Sequence, residues 1–236
     1  SLEKIVSFDK DKTLLYGIVG SRELGEFSNA VNYFDLATMA RANNYTVQAC
    51  KKFQVHTHVP FDSFRMRISV FAQDLRGHKI LITKGAPETV LKQCTHFLGS
   101  QKRSEILQSI TKEGLDGKRV IAIAYKTVTK ERVTKEDERG LTFLGYLVFE
   151  DALRPSAKEA MLLAKKLGVS IKIITGDAKE VAGFVAYKTG LLAHAKDVIL
   201  GEDLEKMHQD EFDNACQDYA VFARISPEMK YNIVKS

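Results

Sequence analysis

The sequence predicts an α/β protein in two modules: an antiparallel-sheet α+β module over residues 1–142, then part of a parallel α/β module over residues 143–236. Two observations carry this. Between residues 51 and 84 apolar side chains recur every second position, with Phe53, Val55 and Val59 followed by the apolar stretches 67–71 and 78–82. The turn sequence Asp74-Leu75-Arg76-Gly77 joins the last two, which makes an antiparallel meander. From residue 143 onward the pattern becomes strand, helix, strand, helix, the order that builds a parallel sheet.

Taken in order, residues 2–8 alternate loosely and predict a strand. Asp9 or Asp11 can cap a helix over 13–24, with Leu14, Leu15, Ile18 and Val19 on its apolar face. Asn29 can cap a second helix running to about Ala42, which Asn43-Asn44 would end. At the end of the meander, Ile80, Leu81 and Ile82 form a short apolar strand with Lys84 at its end. Gly85 lets the chain turn, and Pro87 opens a helix as its first residue. Such a lysine, with free N–H groups behind it, can face an anion. Helices are expected over 87–97 and 104–113, and a strand over 118–124. Residues 127–140 are strongly charged and read as a loop or an exposed helix. The dense apolar run 143–149 predicts a buried strand at the start of the second module.

In that module Pro155 starts a helix over 156–167 and Gly168 ends it. A second buried strand, 169–174, runs into Thr175-Gly176-Asp177, and a helix follows from about 179 to 189. Ligands of parallel sheets bind beyond the carboxyl ends of the strands, which is where Thr175 falls. Short strands are expected at 197–200 and 219–222, and Pro227 opens a last helix with Lys230 one turn inside.

Composition narrows the function classes. Net charge is +5, with Lys and Arg spread along the chain rather than striped with aromatics, which argues against nucleic-acid binding. Cys50, Cys94 and Cys216 are odd in number and far apart, so no disulfide framework and no Cys-x-x-Cys metal pattern is expected. His56 and His58 share a strand face without a ligand cluster around them. No run reaches the roughly 18 apolar residues of a membrane span, and no signal peptide stands at the start.

Four motifs then stand in order: Lys84-Gly85-Ala86-Pro87-Glu88, Asp151-Ala152-Leu153-Arg154, Thr175-Gly176-Asp177 and Ala223-Arg224-Ile225-Ser226-Pro227-Glu228-Met229-Lys230. Together they resemble the P-type ATPases, the ion pumps phosphorylated on an aspartate. The resemblance covers nearly the whole chain from about Asp11. It implies a nucleotide-binding domain followed by part of a Rossmann-like, haloacid dehalogenase-like phosphorylation domain. It implies ATP as ligand, with Mg²⁺, and the pump's own transmembrane and actuator domains as partners. The intact protein would be a multi-pass membrane protein, and this segment would lie on its cytoplasmic side.

On that resemblance Phe61, in Pro60-Phe61-Asp62-Ser63-Phe64-Arg65, takes the place of the aromatic that stacks on adenine. Asp35 takes the place of a carboxylate facing the base, or is a plain helix residue. Lys84 and Gly85 belong to the nucleotide pocket. Arg119 takes the place of a nucleotide-contacting arginine, or is a surface residue at a strand start. Asp151 and Arg154 resemble the hinge motif, with Ala152 where proline is usual. Thr175, Gly176 and Asp177 resemble a phosphate-binding turn, and Lys230 a lysine that neutralises the aspartyl phosphate. The position where the family often has a lysine after the stacking aromatic is Met66 here, which has no charge to offer phosphate.

The family's Gly-Asp-Gly-x-Asn-Asp motif, which completes its Mg²⁺ site, does not occur in the sequence, so no metal ligands are assigned. Phe8-Asp9-Lys10-Asp11-Lys12-Thr13 can be laid on the nucleophile motif Asp-Lys-Thr-Gly-Thr with Asp9 as nucleophile. Asp11 would then sit where phosphate must land. The favoured register instead puts Asp11–Gly20 on the first helix of the nucleotide-binding domain and the nucleophile upstream of Ser1, so that the chain is a segment cut at both ends. Two other readings stay open: a soluble dehalogenase-like phosphatase with a large cap, and a non-catalytic nucleotide-binding module.

Overall fold

A computed structural model describes residues 1–21, 32–99 and 101–236. The chain divides into two compact units, Ser1–Ile110 with Val120–Phe149, and Thr111–Arg119 with Glu150–Ser236.

The first unit is built on a seven-stranded, mostly antiparallel sheet. Its strands are β1 (Leu2–Ser7), β2 (Phe53–Asp62), β3 (Arg67–Asp74), β4 (Lys79–Gly85), β5 (Cys94–Phe97), β6 (Arg119–Thr127) and β7 (Leu141–Phe149). Their order across the sheet is β1-β7-β6-β4-β3-β2, and β5 adds to β7 in parallel. The helices are α1 (Lys10–Val19), α2 (Tyr33–Met39), α3 (Asn44–Lys51), α4 (Pro87–Gln93) and α5 (Arg103–Leu115).

Two apolar clusters explain why β6 and β7 read as unbroken hydrophobic runs. Ile123, Leu144, Leu147 and Phe149 pack with Leu14, Ile18 and Val19 of α1 and with Cys50 of α3. Their sequence neighbours Ala122, Ala124, Phe143, Tyr146 and Val148 pack with Val90, Leu91 and Ile106. Successive strand residues face opposite sides. Both faces of the sheet are therefore covered, and the polar half of the alternation disappears.

This corrects the expected boundary at 142/143. The run 143–149 looks like a parallel strand because it is buried on both sides, yet β7 pairs antiparallel with β1, Val6 facing Tyr146 and Ile5 facing Leu147. It is the last strand of the first unit, which ends at Phe149.

The helices differ locally from expectation. Asp9, not Asp11, caps α1, its carboxylate accepting from the Lys12 N–H at 2.9 Å. Asn32 caps α2 through the Asp35 N–H at 3.1 Å. The proposed cap Asn29 lies outside the described residues. Asn43 starts a helix rather than ending one, since its side chain accepts from the Thr46 N–H at 2.8 Å and opens α3. Asparagine can do either job: its short side chain accepts from a backbone N–H at a helix start, and its backbone tolerates the left-handed conformation at a helix end. Residues 94–97 form β5 instead of prolonging α4.

The second unit carries a three-stranded parallel sheet of β8 (Ile173–Ile174), β9 (Ile199–Leu200) and β10 (Val221–Ala223), in the order β8-β10-β9. Its helices are α6 (Ser156–Lys166), α7 (Lys179–Lys188), α8 (Gly201–Leu204), α9 (Gln209–Asp218) and α10 (Pro227–Lys235). The sheet is cored by Ile199, Val221, Phe222 and Ala223, against Ala182 and Ala186 of α7 and Ile233 of α10. β8 is shorter than the expected strand 169–174, where Val169 stays exposed. Among the described residues no helix is long and apolar enough to cross a membrane.

Candidate functional site

The first unit gathers Phe61, Lys84, Gly85 and Asp35 around the ends of β2, β3 and β4. Phe61 lies near the end of β2, where the β2–β3 ladder is irregular between Val59 and Asp62. Irregular pairing of this kind re-aims side chains. The Phe61 side chain points outward and is 63% exposed, and Phe64 is also exposed. That is unusual for a ring beside a strand, where burial is the rule.

The segment around Phe61 is tied down although its ring is not. The Asp62 carboxylate accepts from the Phe64 N–H at 2.7 Å and the Arg65 N–H at 3.2 Å, and the Asp62 carbonyl from the Met66 N–H at 2.6 Å. The N–H groups of Arg65 and Phe64 hold the Asp62 carboxyl below its ordinary pKa. Met66 adopts φ 48°, a left-handed conformation uncommon for a side chain of its kind. That turn aims the Met66 carbonyl at the Ala86 N–H, 2.9 Å away. Gly85 lies directly underneath: a Cβ there would sit 2.3 Å from the Met66 carbonyl oxygen and 2.6 Å from the Arg67 Cα. Gly85 is thus a residue of β4 required by close backbone approach, and not the turn expected after a strand end.

Lys84 also lies inside β4 and is 8% exposed. Its ammonium donates to the Asp35 carboxylate and the Ser21 hydroxyl. Asp35, 5% exposed, accepts in addition from Ser21 at 2.7 Å and from the Asn32 side-chain amide at 2.9 Å. Burial lowers the Lys84 pKa, and the Asp35 charge and hydrogen bond oppose that shift. The expectation of an ammonium presented at a strand end is corrected: this one is spent on a buried ion pair. The reading of Asp35 as an exposed helix residue is corrected with it.

Glu138 was missed entirely. It sits in the charged stretch read as solvated, just after a short 3₁₀ turn at Lys135–Asp137, and is fully buried. Its carboxylate accepts from Arg65 Nη1 at 2.7 and 2.8 Å, Arg67 Nε at 2.7 Å and Ser69 Oγ at 2.7 Å. Its partners come from the start of β3 and the turn before it: Arg67 and Ser69 share one strand face, and Arg65 reaches the same carboxylate from the turn.

In the second unit Thr175, Gly176 and Asp177 follow β8 directly. The Thr175 hydroxyl accepts from the Asp177 N–H at 3.1 Å, and the Thr175 carbonyl from the Ile225 N–H at 3.0 Å. Arg224, at φ 55°, donates its backbone N–H to the Asp177 carbonyl and its Nη1 to the Gly176 carbonyl, at 3.0 and 2.9 Å. Arg119, counted with this unit, donates Nη2 to Asp177 at 2.8 Å and Nη1 to Asp151 at 3.1 Å. Three of the expected site residues therefore meet in one ion-pair cluster. Arg154 is exposed ahead of α6, and Lys230 is exposed on α10. Among the described residues no three His, Cys, Asp or Glu side chains converge as metal ligands. Among the described residues there is thus no divalent-cation cage.

A family model for the P-type ATPase cytoplasmic domain N matches residues 25–156. The Escherichia coli K12 protein named magnesium-transporting ATPase, P-type 1 is 29% identical over 217 residues, covering 86% of this chain and 24% of its own length. The Bacillus subtilis calcium-transporting ATPase is 28% identical over 215 residues, 85% of this chain and 24% of its own length. A probable cation-transporting P-type ATPase of Mycoplasma genitalium is 32% identical over 181 residues, 75% of this chain and 20% of its own length. The chain thus spans about a quarter of the length of the relatives it matches.

Proposed function

Because the chain belongs to the P-type ATPase family, matched through cytoplasmic domain N, we propose that it is the cytosolic ATP-binding portion of a cation-transporting pump. Residues 1–149 are its nucleotide-binding domain, and residues 150–236 part of its haloacid dehalogenase-like phosphorylation domain. In the intact protein ATP binds the first domain and its γ-phosphate passes to an aspartate, in a reaction run by positioning and charge neutralisation. Relatives are named for both magnesium and calcium transport, so the proposal is a cation and no particular ion.

The observation that carries this reading is Phe61: an exposed ring on a segment fixed by its own hydrogen bonds, at the same end of the sheet as Lys84-Gly85 with β3 between them. An aromatic face held open in this way fits a planar base. Lys84 and Asp35 shape the floor of that site through their ion pair. Thr175, Gly176 and Lys230 are assigned to phosphate, Asp151 to the hinge with Arg154, and Arg119 and Asp177 to a cluster that ATP rearranges.

ATP titration by calorimetry or NMR tests the first assignment. Phe61→Ala weakens binding by about 1–3 kcal/mol, the worth of one base–aromatic stack. Equal binding by both chains removes Phe61 from the site.

The nucleophile is assigned to an aspartate other than Asp9. The Asp9 carboxylate is engaged at the N-terminus of α1, in the unit that carries the meander. Incubation with Mg²⁺ and acetyl phosphate leaves the intact mass unchanged. A hydroxylamine-labile gain of one phosphate mapped to Asp9 overturns the assignment.

A further inference from the structure

We propose that Glu138 is a positioning residue of the nucleotide site, holding the Phe61 segment in place from behind through Arg65. The proposal rests on the reading of Phe61 as the base-stacking residue.

The geometry is specific. Arg65 spans two things at once: Nη1 meets both oxygens of Glu138, and Nη2 donates to the Pro60 carbonyl at 2.5 Å. Pro60 immediately precedes Phe61, so the guanidinium closes the stretch 60–65 into a ring with Phe61 inside it. Glu138 anchors that ring to the sheet, because the same carboxylate binds Arg67 and Ser69 of β3. Ser69 in turn shares a 2.7 Å hydrogen bond with Thr83 of β4, one residue before Lys84. One fully buried carboxylate thereby links the segment bearing the exposed ring to the strand bearing Lys84 and Gly85.

Held at Nη1 by the carboxylate and at Nη2 by the Pro60 carbonyl, the guanidinium is fixed in orientation as well as position. Preorganising a ring that would otherwise swing lowers the entropy lost when a base stacks on it. The long stretch between β6 and β7 thus contributes to the site without facing the ligand. The turn that directly precedes Glu138 is closed by the Thr134 N–H, which donates to the Asp137 carboxylate at 3.0 Å.

The test is Glu138→Gln, which keeps shape and removes charge, with Arg65→Lys as the second variant should the first not fold. Two readouts are taken on the full chain. Amide hydrogen exchange at Phe64, Arg65 and Met66 is measured without nucleotide, and it accelerates about tenfold or more while the β6 and β7 amides stay protected. ATP affinity falls about fivefold in the wild-type background and is unchanged in a Phe61→Ala background, because residues acting as a unit are not additive. Unchanged exchange in the segment overturns the proposal, whatever ATP does. An equal loss of affinity with and without Phe61 also overturns it, since Glu138 then acts elsewhere. Faster local exchange in a chain that binds no ATP sinks the nucleotide reading and leaves Glu138 as the anchor of the segment.

Discussion

Asp35→Ala destabilises the first unit by about 3–5 kcal/mol, the cost of leaving a buried charge without its partner. Lys84 is 8% exposed and Asp35 5%, so water replaces the lost carboxylate poorly. The Ser21 hydroxyl remains, but a neutral dipole supports an ammonium far less than a carboxylate does. The pH dependence follows from the direction of the Lys84 shift. Burial holds its folded pKa below the ordinary 10.5, so in the window between the folded value and 10.5 the unfolded chain binds more protons. Stability contributed by this site therefore rises with pH through that window. In Asp35→Ala both causes that push the pKa back up are gone, and the window opens at lower pH. Urea unfolding at pH 7 and pH 9.5 checks it: the variant recovers part of its loss at the higher pH. A loss under about 1 kcal/mol, with no recovery, would show that Lys84 and Asp35 do not form a buried pair. Replacing both residues by apolar ones of similar volume restores much of the stability, because the ion pair mainly offsets its own desolvation.

How much of this was legible follows from the reach of each signal. The meander could be read because alternation is local, and β2, β3 and β4 appear where the period-two stretches lie. Thr175-Gly176-Asp177 could be read as a turn after a strand for the same reason. Lys84 could be named but not understood, since its partner Asp35 lies 49 residues earlier. Glu138 could not be separated from its charged neighbours, because what buries it is Arg65 and Arg67, 73 and 71 residues back. The run 143–149 fixed burial on both faces and nothing more. Parallel and antiparallel pairing give the same hydrophobic pattern once helices cover both sides, and only the partner β1 decides. In each case the side chain's chemistry was readable and the identity of its distant partner was not.

Gly85→Ala costs about 3 kcal/mol, an overpacking penalty plus a broken hydrogen bond. The new methyl group meets backbone, the Met66 carbonyl at 2.3 Å and the Arg67 Cα at 2.6 Å, so no side-chain rotation can admit it. Something in the ladder has to move. The least constrained choice is Met66, already at φ 48°, whose carbonyl then leaves the Ala86 N–H. That displacement carries the stretch 61–66 with it, so ATP affinity drops together with stability. Gly77→Ala is the control. Gly77 has φ 85°, and a methyl group there would find its nearest neighbour, Gln73 Nε2, at 3.6 Å. Its cost is the left-handed backbone alone, about 1 kcal/mol, with no effect on nucleotide. Thermal unfolding and ATP titration of the two variants separate the causes. If Gly85→Ala is no more harmful than Gly77→Ala, the close approach of β3 and β4 at Gly85 is not what holds the Phe61 segment in place.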